Sequence, residues 1–239
     1  MAAKAPAQVK HRHRPSQDLR FTKGPLTREW EGRTVVLIAS GPSLTKAQVN
    51  TAKECHYSGE VMALGVNDAY RIAPWIDWLY AADPQWWDVH IRSVRETYIP
   101  NLSCQDQDTC QRWGLRWVPG PESSKGHRSE HGLSTDPAFI HFGSHSGFQA
   151  LNIAFHLGAK RICLLGYDMR FEKRPHWFGD HPQTLQNAHE PGWYARWLPV
   201  YDEAAPQLDR AGVDVVNCTP GSAINCFRRA TISEALWRV

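Results

Sequence analysis

Apolar residues along this chain fall in short, nearly continuous blocks separated by polar turns. The first block, Val35-Val36-Leu37-Ile38-Ala39, is broken abruptly by Ser40-Gly41-Pro42-Ser43. A run of this length, β-branched at its start and ended by a Gly-Pro turn, predicts a strand buried on both faces, which is the habit of parallel sheets. Thr45 with Gln48 three residues on has the form of a capping box and predicts a helix from Lys46. Val61 to Val66 predicts a second strand ending at Asn67-Asp68, and Trp78 to Ala82 a third, stopped by Asp83-Pro84.

From Asn101 to Asp136 the composition turns polar around Gly120-Pro121-Glu122-Ser123-Ser124-Lys125-Gly126, and the stretch is expected to be an insertion or lid. Order returns at Phe139 to Phe142, expected as a strand. Ser146 and Gln149 form a second capping-box pattern ahead of a helical face of Phe148, Leu151 and Phe155, with Gly158 closing the helix. Ile162 to Leu165 is a further buried strand ending at Gly166-Tyr167-Asp168. Trp193 to Ala211 has helical spacing, with Pro199 and Pro206 expected to kink or divide it. Val213 to Val216 predicts a strand leading into Thr219-Pro220-Gly221-Ser222, and Thr231 with Glu234 caps a short terminal helix.

Polar groups thus recur where strands end. In open parallel sheets ligands sit beyond the carboxyl ends of the strands, so Gly41, Asn67 and Asp83 are expected to face one crevice. Gly41, lacking a Cβ, would let a ligand approach the backbone, and the following helix would aim unpaired N–H groups at an anion such as phosphate. The turn is neither the G-x-G-x-x-G dinucleotide loop nor a P-loop. An ordinary βα turn at Gly41, and helix capping by Asn67 or Asp83, are the plain alternatives.

Composition adds three constraints. At 239 residues the chain is long enough for one well-buried α/β domain, expected over 26–239. No apolar stretch approaches bilayer length and no signal-peptide core follows Met1, so a cytoplasmic location is expected; six cysteines without paired spacing agree, Cys104 and Cys110 reading as loop thiols. The net charge of +3 hides an asymmetry: seven of the 27 Lys/Arg but only one of the 24 acids fall in residues 1–28. Residues 1–25 are therefore expected to form a flexible basic segment able to attract nucleic acid or another polyanion, or simply a solvated terminus. Eleven tryptophans offer core packing or stacking surfaces for a base or sugar.

Between His176 and His189 lie three histidines, His176, His181 and His189, with Asp180. Their spacing matches no helical zinc pair, so no metal ligands are assigned, and a single general base is the better expectation. His189, nearer the Trp193 helix, is favoured over His181, which Gly179 and Pro182 would place in a loose turn.

Taken in order, VVLIASGPSL, ALGVNDAY, YAADPQWW, SGFQALNIAFHLGAKRICLLGYDM and NCTPGSAI resemble the Campylobacter-type bacterial sialyltransferases and the related pterin pyrophosphokinase-like proteins, a group that includes many bacterial and bacteriophage proteins. The resemblance runs from about Thr34 to Ile232 and is thinnest between Asn101 and Asp136. It implies a Rossmann-like, doubly wound, mainly parallel α/β sheet. It also implies a nucleotide-sugar donor, CMP-linked in the sialyltransferases, held at Gly41, Pro42, Ser43, Asn67, Asp83, Ser146, Gly147 and Asp168, with Thr219, Pro220, Gly221 and Ser222 closing over it. The family's catalytic histidine falls after the Gly-x-Asp strand, where this chain has His181 and His189. Where the sialyltransferases carry an arginine ahead of the Ser-Gly helix start, this chain has Gly143-Ser144-His145, and the tyrosines nearest to those that assist phosphate departure are Tyr167 and Tyr194.

The leading expectation is a transferase moving a sugar from a nucleotide-sugar donor to a hydroxyl acceptor without a required cofactor. The alternatives are pyrophosphoryl transfer from ATP to a small hydroxymethyl compound, which would need Mg²⁺ on carboxylates such as Asp68, Asp83 or Asp168, and a catalytically silent nucleotide-binding or assembly protein. The nucleotide base, the acceptor and assembly into a homo-oligomer stay open.

Overall fold

The computed structural model describes residues 21–121, 132–170, 172–182, 185 and 191–237. Most of the basic N-terminal segment, the centre of the polar stretch and His189 lie outside the described residues. Among the described residues, eight strands form one sheet: β1 (Thr34–Ile38), β2 (Val61–Val66), β3 (Trp78–Tyr80), β4 (Asn101–Cys104), β5 (Arg116–Trp117), β6 (Arg161–Leu165), β7 (Asp214–Asn217) and β8 (Arg228–Arg229). Their order is β5-β4-β3-β2-β1-β6-β7-β8 and every pairing is parallel. Among the described residues, no helix is long and apolar enough to cross a membrane.

The strands are apolar on both sides because helices cover both sides. Val36 and Ile38 of β1, with Cys163 and Leu165 beside them on β6, pack against α1 (Lys46–Ser58), α2 (Pro84–Arg95), α3 (Gln107–Trp113) and α7 (Ile232–Trp237). Val35 and Leu37, with Ile162 and Leu164 alongside, face α4 (Ser146–His156) and α6 (Pro199–Arg210). Alternate residues of one strand thus serve two cores, so a one-residue slip in register would exchange the two faces.

Local chemistry sets the helix ends. The Thr45–Gln48 capping box is complete and starts α1, which stops at Gly59 in the left-handed region (φ 84°). The 193–211 segment is divided at Pro199 into α5 (Pro191–Trp197) and α6, as expected of a residue without an N–H, while Pro206 is accommodated inside α6. The Thr231–Glu234 box caps α7.

Four expectations are corrected. The 101–136 stretch is not wholly an insertion: β4, α3 and β5 within it extend the main sheet, and Trp78 Nε1 donates to Ser103 Oγ at 2.6 Å to join β3 to β4. Strands of four and two residues at a sheet edge carry too little periodicity to be seen in sequence. Cys104 and Cys110, expected as loop thiols, are both fully buried there. Residues 139–142 are not a strand; Asn152 Oδ1 instead accepts from Ser134 N and His141 N, both at 2.9 Å, supplying the backbone partners that a strand neighbour would have given. Finally, α4 is capped by His145 rather than Ser146: the His145 Nδ1 accepts from Phe148 N at 3.3 Å. Gln149, freed from the box, has its Oε1 accepting from Tyr80 OH at 2.7 Å, which fastens α4 to the end of β3.

The chain winds outward from β1 to β5 on one side and from β6 to β8 on the other, so its direction reverses between β1 and β6. Their ladder continues past both strands through Ala39 N to Leu165 O and Gly41 N to Gly166 O, each 2.9 Å. Beyond it, the buried Asp168 carboxylate accepts from Ser43 Oγ at 3.0 Å and from Ser43 N at 3.2 Å. A Cβ on Gly41 would lie 1.9 Å from Asp168 Oδ2 and 2.4 Å from Gly166 O. The glycine is therefore required by the protein's own packing, and the space expected to admit a ligand is filled by Asp168.

Two outcomes follow from this architecture. Gly41→Ala is expected to lower the unfolding free energy by about 2 kcal/mol or more, since a backbone carbonyl blocks the new methyl; denaturation in urea reads this, and an unchanged midpoint would return Gly41 to a role in ligand approach alone. The second concerns α4, where burial pushes His145 down to about 3 and His156 down to about 4. An unfolded histidine titrates near ~6.5, so the unfolded state binds more protons below that pH and stability is lost as pH falls toward these values. Asn can cap a helix but does not titrate. Between pH 6 and 5, His145→Asn should thus reduce the pH slope of the urea unfolding free energy by up to about 1.4 kcal/mol per unit. An unaltered slope would show that His145 is not held neutral.

Candidate functional site

A cavity of about 690 Å³ lies over the carboxyl ends of β1, β2 and β6, at the point where the sheet order reverses. Such a reversal leaves the loops of neighbouring strands leaning apart, and this is where open α/β sheets bind ligands. Gly41 and Pro42 form one wall, and Ser146 and Gly147 at the start of α4 form another, so backbone N–H groups of a helix N-terminus border the space. Asn67 (φ 50°), Ser144 (φ 66°) and Met169 (φ 50°) hold left-handed conformations that side chains disfavour, and all three line the cavity. Backbone strain gathered at one cavity is characteristic of functional sites.

Two carboxylates and one guanidinium stand on the wall: Asp83, Asp168 and Arg170. Burial pushes the Asp168 carboxyl above its usual range while its bonds from Ser43 oppose the shift. Asp83 flanks α2 but makes no capping bond, and desolvation raises its pKa against the opposing pull of His181. Pro84 supplies the helix start in its place.

The far wall is aromatic. Trp193, Tyr194 and Trp197 of α5 line the cavity, and Trp197 packs on Tyr194 edge-on at 5.4 Å and on His145 at 5.3 Å. From β6 the chain runs on to the histidine segment, which is tied down at two places: Trp177 N donates to Ser40 O at 3.1 Å and the Arg71 guanidinium lies 5.1 Å above the Phe178 ring. Within the segment Phe178 stacks on His176 at 5.0 Å. His181 is therefore held rather than loose: its ring packs 4.6 Å from His176 and its Nδ1 is 3.7 Å from Asp68 Oδ2. Burial lowers the His181 pKa, with Asp68 pulling the other way.

Of the residues anticipated from sequence, Gly41, Pro42, Asn67, Asp83, Ser146, Gly147, Asp168 and His181 line this one cavity. Ser43 lies beneath it, bonded to Asp168. Thr219, Pro220, Gly221 and Ser222 do not line it: Thr219 Oγ1 accepts from Tyr167 N, Ser222 Oγ donates to Tyr167 O, and Gly221 O accepts from Arg170, so the loop buttresses the end of β6 instead of closing over a ligand. His189 lies outside the described residues. Arg170 carried no signal in the sequence; His145 stood out there only as part of the stretch in place of an arginine, Trp86 only as one of the tryptophans able to stack, and Asp68 only as a strand-end carboxylate able to hold Mg²⁺. Among the described residues, no three His, Cys, Asp or Glu side chains converge as a metal site requires.

No family model matches the chain, and no curated protein matches it. Among solved structures it is similar to the MAf glycosyltransferase from Magnetospirillum magneticum AMB-1, with a TM-score of 0.58 and 16% sequence identity. The match covers 91% of this chain but 37% of that one, so this chain spans little more than a third of its neighbour's length. At this identity the likeness is one of fold: a parallel α/β sheet with helices on both faces, shared across nearly the whole chain.

Proposed function

We propose that this chain is a nucleotide-binding transferase of glycosyltransferase type, moving a sugar from a nucleotide-sugar donor to a hydroxyl acceptor. The observation that carries the reading is the meeting, in one cavity at the sheet's reversal point, of a helix N-terminus, an aromatic wall and a histidine held neutral by burial. Each suits a different part of such a substrate. The N–H groups at Ser146 and Gly147, with Arg170, would hold phosphate oxygens. Trp193 and Trp197 offer flat apolar faces for a base or sugar ring. The likeness in fold to a glycosyltransferase supports the same reading.

The chemistry follows from those positions. A neutral imidazole at His181, or at His189, takes the proton of the acceptor hydroxyl as its oxygen bonds to the anomeric carbon of the donor. The bond from that carbon to the phosphate oxygen breaks, and the electron pair leaves with the phosphate. The charge that develops there is met by the fixed N–H dipoles and by Arg170, groups already in place before reaction. Metal-dependent pyrophosphoryl transfer in the same cavity is distinguished by its sensitivity to EDTA.

A melting-temperature screen with CMP, UMP, GMP, AMP and ATP should show stabilisation by at least one, worth about 2.7 kcal/mol at a hundredfold excess over Kd. No shift with any of them, or with their sugar conjugates, would remove nucleotide binding. For the enzyme, alanine at the true base should lower kcat about a hundredfold or more with little change in nucleotide affinity. Near-native turnover in both His181→Ala and His189→Ala would end the histidine-base mechanism.

A further inference from the structure

Asp68 is wholly buried, on the 3₁₀ turn Asn67–Arg71 that follows β2. The left-handed turn at Asn67 puts that side chain on the cavity and sends the next one, Asp68, inward. A carboxylate removed from water is tolerated only where donors surround it. Trp86 Nε1 donates to Oδ2 at 3.0 Å and Arg71 Nη1 to Oδ1 at 3.3 Å, so both oxygens are held in place. On the cavity side, Oδ2 faces His181 Nδ1 at 3.7 Å, and the imidazole is 17% exposed.

From this geometry we infer that Asp68 is the positioning residue for His181: its carboxylate accepts from Nδ1–H, fixes the ring orientation, and so leaves the lone pair of the neutral ring on Nε2. The inference rests on the reading of His181 as base. A closure of less than an ångström brings the pair to hydrogen-bond distance, and such contacts commonly tighten only when substrate binds. The carboxylate cannot swing away, because Trp86 and Arg71 hold it from the protein side. The loop cannot easily leave either, since the same Arg71 lies over Phe178 and Trp177 is bonded to Ser40.

Among the described residues other groups also face His181, and of those that favour its charged form Asp68 acts most strongly. Arg71 and His90 oppose its protonation, His176 packs edge-on against its ring, and Asp83 and Asp180 favour its charged form more weakly than Asp68 does. Asp180 is exposed, where water screens it. A carboxylate fixed by two donors, itself touching the ring that takes the proton, orients the base without exchanging a proton with substrate.

The test is the ring-nitrogen NMR spectrum of the full chain, with the His181 signals assigned by their loss in His181→Asn. At pH above the ring's titration, wild type should show the Nδ1–H tautomer. In Asp68→Asn, which keeps the shape and loses the charge, that preference should weaken and the His181 pKa should fall by about one unit. If the chain turns over a nucleotide sugar, the acid limb of its kcat/KM profile should move to lower pH by the same amount. A wild-type Nε2–H tautomer overturns the pairing, even if Asp68→Asn does not fold, and so does an unchanged His181 pKa in a folded variant. The expected tautomer and shift in a protein inactive on all nucleotide sugars would uphold the pair and remove the transferase reading instead.

Discussion

The contact on which the site depends is the reach of one carboxylate across a gap that the topology opens. Where the winding direction reverses, β1 and β6 are neighbours but their following segments lead away from each other. Asp168, just past β6, returns to Ser43 in the turn after β1 and accepts from both its N–H and its hydroxyl. Charge-assisted bonds of this kind contribute on the order of 1.5–3 kcal/mol each. They require the two backbones to come so close that Gly41 has no room for a methyl group and Gly166 adopts a left-handed conformation (φ 71°). The floor of the cavity is thus a packed joint between the two halves of the sheet.

Everything around that joint is set by how polar groups are removed from water. His145 caps α4 with Nδ1, and burial holds its ring neutral, so the helix start keeps an acceptor without acquiring a charge. Asp68 survives full burial because Trp86 and Arg71 donate to it. The buttress at Thr219 and Ser222 satisfies the peptide groups on either side of Tyr167, so the chain beyond β6 is fixed before it enters the histidine segment. The resulting wall holds donors, carboxylates and aromatic rings at fixed positions.

How much of this could be read in the sequence depended on the range of the interactions. Elements with a local signature were legible: β1, β2 and β6 as apolar runs, α1 through its Thr45–Gln48 box, and the break at Pro199. So were several polar cavity residues, because polar residues at strand ends reach the same crevice in any parallel sheet. What escaped depends on partners distant in the chain. The edge strands β4 and β5 are too short to show a period, and Asn152 supplies side-chain bonds that make residues 134–141 orderly without a strand. Ser146 looked like the cap, but Gln149 was taken by Tyr80 and His145 capped instead. The resemblance implied that Thr219 to Ser222 close over a ligand, whereas their hydroxyls are engaged by Tyr167.

The central claim, that a nucleotide occupies the reversal-point cavity, is tested most directly by mapping backbone amide NMR shifts on addition of CMP, UMP, GMP or AMP at saturation. The account predicts that the largest changes fall on Gly41, Asn67, Ser146 and Gly147, around the carboxyl ends of β1, β2 and β6. Changes confined to the smaller cleft beside Gly32, Gly158 and Gly212, or no change with any nucleotide, would contradict it.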